Sequence, residues 1–169
     1  MSGLEDLGVR EGRPRDAAAL LDLERRTNTV ALAHVFDPAA HAFPAGDVRL
    51  RWERLLEDPG SDVTVAEAAG GLGGLVGVVA VGGGRIGHLL VDPRRWGTGL
   101  GAELLHEGLR LVRATGVRRV ELTCLAENGR ARAFYAKHGF VELREDGRAP
   151  WPPYPRQLLL VHDGARVAG

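Results

Sequence analysis

The chain has 169 residues, 44% of them hydrophobic and 26% charged, a balance that suits one folded domain over 1–169 and excludes a disordered body. Its 22 basic residues offset 22 acidic ones, so the basic excess of a nucleic-acid partner is missing. The one cysteine rules out an internal disulfide, and no apolar run approaches the roughly 18 residues of a membrane span.

In chain order, Val9-Arg10 closes a short strand, and Pro14-Arg15-Asp16 opens a helix whose apolar face is Ala19, Leu20 and Leu23. Residues 27–46, with His34, Phe36, His41, Phe43 and two prolines, read as a short helix and a loop. Asp47 is expected to cap the next helix, where Val48, Trp52, Leu55 and Leu56 share a face before Asp58-Pro59-Gly60 stops it. The period then changes. Val63–Glu67, Leu75–Val81 and Ile86–Val91 are strands joined by glycine-rich turns, which predicts an antiparallel half-sheet. A helix from about Gly99 carries Leu100, Leu104, Leu105, Leu109, Leu111 and Val112 and stops at Gly116. Val117–Leu125 is a strand, Asn128 caps a helix bearing Ala131, Phe134 and Tyr135, and Phe140–Leu143 and Leu158–Val161 are two last strands. Cys124, set in an apolar strand, reads as a small buried thiol and not as a nucleophile.

The segment Val91-Asp92-Pro93-Arg94-Arg95-Trp96-Gly97-Thr98-Gly99-Leu100-Gly101-Ala102 follows an apolar strand and opens an amphipathic helix. Alternating glycines allow close approach of the backbone to a ligand, and the free N–H groups and dipole of the helix start suit a pyrophosphate. Three glycines at alternate positions exceed what a plain strand-to-helix turn needs. The dinucleotide pattern G-x-G-x-x-G/A is formally met by Gly97–Ala102, with Glu121 about 20 residues on. Context argues against it: Asp92–Trp96 separates the strand from the first glycine, the strand before belongs to a hairpin run, and too little chain follows for a doubly wound sheet. A Walker-type loop fails because no Gly-Lys-Ser/Thr follows.

Leu89–Pro93 followed by Trp96–Gly101 resembles the acetyl-CoA motif Q/R-x-x-G-x-G/A of the GCN5-related N-acetyltransferase (GNAT) superfamily, with Trp96 at the Q/R position as a departure that removes one polar contact. Asn128–Phe140 is similar to the family's later motif N-x-x-A-x-x-F-Y-x-x-x-G-F. The resemblance is strong over 86–143. It implies an α/β (α+β) fold with a mixed sheet of six to seven strands, antiparallel in its first half, splayed at the cofactor cleft and with helices on both faces. It implies an acetyl-CoA-dependent N-acetyltransferase, or as the alternative a non-catalytic acyl-CoA sensor or partner-binding module on the same fold. In that frame Leu89, Leu90 and Val91 would pair with pantetheine, the backbone of Trp96, Gly97, Thr98, Gly99, Leu100, Gly101 and Ala102 would hold the pyrophosphate, and Asn128 would touch the cofactor arm. Tyr135 matches the family's general acid, against the plainer reading of a core aromatic beside Phe134. His88 is the best-placed general base, against the plainer reading of an ordinary strand histidine with no such role, and Glu121 is a weaker candidate. No histidine pair has metal-ligand spacing, so no metal is expected. The acceptor, a small-molecule or peptide amine, should be selected by residues 27–46 and by the loop Arg148–Arg156, whose Trp151 and Tyr154 wall the cleft or form a homodimer contact. A cytoplasmic location is expected from the acidic N-terminus without a signal core.

Overall fold

The runs of period 2 pair into one mixed sheet of seven strands in the order β1-β2-β3-β4-β5-β7-β6, in a computed structural model described over residues 7–69 and 74–164. β1 (Leu7–Glu11), β2 (Ser61–Ala68), β3 (Leu75–Gly82) and β4 (Arg85–Val91) are antiparallel neighbours, as the hairpin reading predicts. The glycine-rich turn between β2 and β3 falls largely outside the described residues. β5 (Arg119–Leu125) lies parallel to β4, and β7 (Arg156–Asp163) is inserted antiparallel between β5 and the edge strand β6 (Val141–Arg148).

Among the described residues four α-helices cover the sheet: α1 (Ala17–Ala31), α2 (Ala45–Glu57), α3 (Leu100–Ala114) and α4 (Gly129–Lys137). Pro14–Asp16 forms a 3-10 turn ahead of α1, and α1 takes in Thr27–Ala31 of the segment that the sequence left as a short helix and loop. Asp47 does not cap α2. The helix starts two residues earlier, behind Pro44, which puts Asp47 in the first turn, where its charge still complements the helix dipole.

The helical stripes explain the two cores. Leu100, Leu104, Leu105, Leu109 and Val112 of α3 pack on Val79, Val81, Ile86, Val120 and Leu122, with Tyr135 and Phe140 closing that face. On the other face Leu20 and Leu23 of α1 and Val48 and Trp52 of α2 pack on Val63, Val65, Val78 and Ala80. Each fully buried leucine or valine contributes on the order of 1.5–3 kcal/mol.

One irregularity in β4 decides which face its side chains serve. Val81 pairs with Ile86 but Ala80 pairs with His88, so Gly87 is an extra residue in the ladder. Ile86 therefore joins the α3 core, whereas His88 sets its ring 5.0 Å from that of Trp52 on the α1–α2 side.

α3 comes close to the sheet because Gly108 has no side chain: a Cβ there would meet Val79 Cγ2 at 2.8 Å and Ile86 Cδ1 at 3.3 Å. Gly108→Val is expected to overpack this contact and cost about 2 kcal/mol, read as a lower urea midpoint at unchanged m.

Candidate functional site

β4 and β5 share a single pairing, Arg85 with Glu121, at the start of both strands. Beyond it the strands part, and the sheet is splayed where the resemblance implies. A cavity of about 590 Å³ occupies the gap. Its walls come from the end of β4, the loop into α3, α4, and the last turns of α1 with Leu32. Leu89, Leu90, Val91, Trp96, Gly97, Gly99, Gly101, Ala102, Asn128 and Tyr135 all line it, so the sequence-predicted residues converge with three exceptions. Leu100 is wholly buried in the α3 core. Thr98 turns its hydroxyl inward and donates to the Arg95 carbonyl at 2.7 Å. His88 faces the α1–α2 layer instead of the cavity, because of the bulge at Gly87.

The loop is an anion cradle by construction. Gly97 and Gly99 adopt φ of 75° and 94°, values that favour glycine, and Gly99 sits at the N-cap of α3. The N–H groups of Gly97, Gly99, Leu100, Gly101 and Ala102 find no acceptor among the described residues, and the positive end of the α3 dipole adds to them. Asp92 anchors this geometry. Its N–H donates to Val76 at 2.8 Å, and its buried carboxylate accepts from the N–H of Arg94, from the Arg94 guanidinium at 2.8 Å and from Arg26 of α1 at 3.2 Å. The Arg94 side chain first, against the opposing effect of burial, holds the Asp92 pKa at about 2.

Trp96, the departure from the motif, has a defined place. Its indole N–H donates to the Val91 carbonyl at 2.9 Å, and the guanidinium of Arg130 lies 3.7 Å above the ring. Arg130 has no carboxylate partner among the described residues, and it lines the cavity together with Arg95, Lys137 and His138. A phosphate-bearing ligand thus meets free amides and a stacked cation, and the residues present fit acetyl-CoA. Sequence reasoning missed Arg130, because its contact with Trp96 joins positions 34 residues apart and no local pattern signals it.

Tyr135 is nine-tenths buried, between Phe134 and Phe140, and its hydroxyl has no hydrogen-bond partner among the described residues. Burial drives its pKa upward, so the phenol keeps its proton at any working pH. Asn128 caps α4 through Oδ1, which accepts from the Ala131 N–H at 3.1 Å. His88 is pushed down to about 3, by burial first and then by Arg51, so it is a neutral and feeble base. Thr27 and Asn28 of α1, at the start of the 27–46 segment expected to select the acceptor, also line the cavity.

The chain matches the model of the Acetyltransferase (GNAT) family over residues 19–140. A stretch of 58 residues is 51% identical to mycothiol acetyltransferase from Beutenbergia cavernae, taking in 34% of this chain and only 20% of that protein. The PaiA N-acetyltransferase of Thermoplasma acidophilum, solved in complex with coenzyme A, has a TM-score of 0.72 at 16% identity, over 93% of this chain and 98% of that one. A GNAT-family acetyltransferase from Streptococcus pneumoniae has a TM-score of 0.65 at 24% identity, over 94% and 99%. These structures share the fold.

Asp92→Asn removes the charge that holds Arg26 and Arg94, both well exposed; a loss of about 1–2 kcal/mol in urea denaturation is expected. His88 gives a separate pH signature. Its folded pKa is depressed, so it has no effect above the ordinary value near 6.5, and below that the unfolded chain takes up a proton that the folded chain refuses. Stability should fall by about 1.4 kcal/mol on going from neutral pH to 5.5. Urea titrations of His88→Gln at both pH values should lack that part of the loss.

Proposed function

The chain belongs to the GNAT family of acetyltransferases, and on that premise we propose that it carries the acetyl group of acetyl-CoA directly to a primary amine of a small molecule or of a peptide. The observation that carries this reading is the meeting, on one cavity, of the free loop amides and an unpartnered, protonated tyrosine. Bound acetyl-CoA supplies an activated acyl carbon and a thiolate leaving group. The amides of Gly97 and of Gly99 to Ala102, with Arg130 across Trp96, hold the phosphates by charge and by direct hydrogen bonds. The open edge of β4 at Leu89–Val91 offers strand-like backbone partners to the amides of the pantetheine arm, and Asn128 adds a polar contact from the start of α4.

The reacting acceptor is the neutral amine. As the N–C bond forms the C–S bond breaks, and the sulfur departs with its electron pair and takes the proton from Tyr135 Oη. The nitrogen gives up its surplus proton to solvent, and the tyrosine is reprotonated from solvent in turn. His88 was the first candidate for base, yet its place against Trp52 and its low pKa favour a packing role. A mechanism without an internal base expects the rate to climb with pH as the free-amine fraction grows.

Acetyl-CoA at about 100 times its dissociation constant should stabilise the protein by about 2.7 kcal/mol in a thermal-shift titration, whereas NAD should not. Tyr135→Phe should lower kcat by about 10²-fold with acetyl-CoA affinity nearly unchanged. Unchanged turnover would remove Tyr135 from the proton path. Tight CoA binding with no acetyl transfer to any amine would favour the sensor reading.

A further inference from the structure

A second cavity, of about 340 Å³, adjoins the first and shares Asn28 with it. Its walls are aromatic and apolar: Phe36, Phe43 and Trp151, with Pro38, Pro44 and Pro152. They come from the connection between α1 and α2 and from the loop between β6 and β7, two segments far apart in sequence. At this volume, near the lower end of the roughly 300–1,000 Å³ of small-ligand sites, the cavity suits a compact molecule and not a polymer.

Charge narrows the class further. The carboxylate in this lining is Glu24, and it is already engaged: it is ion-paired with Arg51 and accepts from the Trp52 indole N–H at 2.8 Å. The Arg51 guanidinium lies against both Trp52 and Trp151, and Arg25 lies over Phe43 at 5.4 Å. A second ammonium in the pocket would therefore meet cations and ring faces already taken, with no free carboxylate to receive it. An aromatic or branched apolar body would meet matching walls.

His41 and Thr29 also line this cavity, and the junction with the first cavity holds two further polar groups. The Asn28 side chain makes no hydrogen bond among the described residues. One residue back, the buried Thr27 hydroxyl has no partner among the described residues, although Thr29 on the same helix donates to the carbonyl four residues before it at 2.7 Å. A buried hydroxyl without a partner is destabilising, and a ligand group that pairs with it recovers that cost.

We propose that this second cavity seats the body of the acceptor, and that the acceptor is a small primary monoamine carrying an aromatic or compact apolar group. Its nitrogen passes Asn28 and Thr27 to reach the acetyl carbon beside Tyr135. The inference rests on the acetyltransferase reading above.

The test measures CoA thiol release with 2-phenylethylamine and with spermidine as acceptors, beside calorimetric binding of acetyl-CoA. The aromatic amine should be preferred by at least about tenfold in kcat/KM, the discrimination that a fitted apolar pocket supplies. Phe43→Ala should raise KM for 2-phenylethylamine about tenfold with kcat and acetyl-CoA affinity little changed. Ala42→Trp, at an exposed position on the same wall, should block the pocket without loss of fold and give the same KM effect. Preference for spermidine, or an unmoved KM in both variants, would overturn the acceptor assignment while acetyl-CoA binding stands. Loss of acetyl-CoA binding in the unaltered protein would instead sink the reading on which it rests.

Discussion

Two neighbouring strands that begin as partners and then separate set the terms for the whole molecule. β4 and β5 meet at Arg85 and Glu121, and beyond that point the outward edge of β4 has no strand beside it. An open edge in mid-sheet leaves backbone groups that demand partners, a condition proteins ordinarily avoid. It can persist here because packed helices hold the strands on both sides of the opening. α1 and α2 pack on the meander of β1–β4, and α3 bridges both halves, contributing to a core with Val79 on one side and Val120 and Leu122 on the other. The wedge left open is then a fixed feature of the fold, available to a ligand with its own amides.

The loop beyond β4 depends on the same rigidity. Asp92 is buried at the point where the strand ends, and it ties α1, β3 and the first turn of the loop through Arg26, Val76 and Arg94. With that anchor in place the two positive-φ glycines can aim the amides of the helix start outward without the loop collapsing on itself. Trp96 takes the part of a platform: bonded to Val91 below and covered by Arg130 above, it replaces a polar side chain of the loop with a cation delivered from α4.

What could be read from the sequence follows the range of the interactions involved. The glycine loop, the α3 stripe and the Asn128 cap are local patterns, and the hairpins follow from period 2 and glycine turns; all of these were legible. Asp47 misled because acidic residues favour both the cap and the first turn, and only the backbone distinguishes the two. The resemblance makes His88 the best-placed base near the cleft, but the extra residue at Gly87 turns its ring to the α1–α2 face, and bulges leave little trace in one sequence. Arg130 on Trp96, Glu24 with Arg51 and Trp52, and the joining of Phe43 to Trp151 all need the tertiary fold to bring distant segments together.

The distribution of unmet hydrogen-bonding capacity ties these elements to function. Among the described residues, the buried side-chain atoms without a partner are Thr27 Oγ1 and Arg51 Nε. The first belongs to the wall of the larger cavity, and the second to the arginine that braces Trp151 at the smaller one. The loop amides and the Tyr135 hydroxyl border the larger cavity as well. Elsewhere the molecule pairs its charges closely, as in Arg10 with Asp16 or Arg132 with Glu142. A fold that satisfies its polar groups broadly and leaves them open around two connected cavities has concentrated its instability where bound molecules can relieve it. A ligand that met those groups would couple binding to stability through the same atoms.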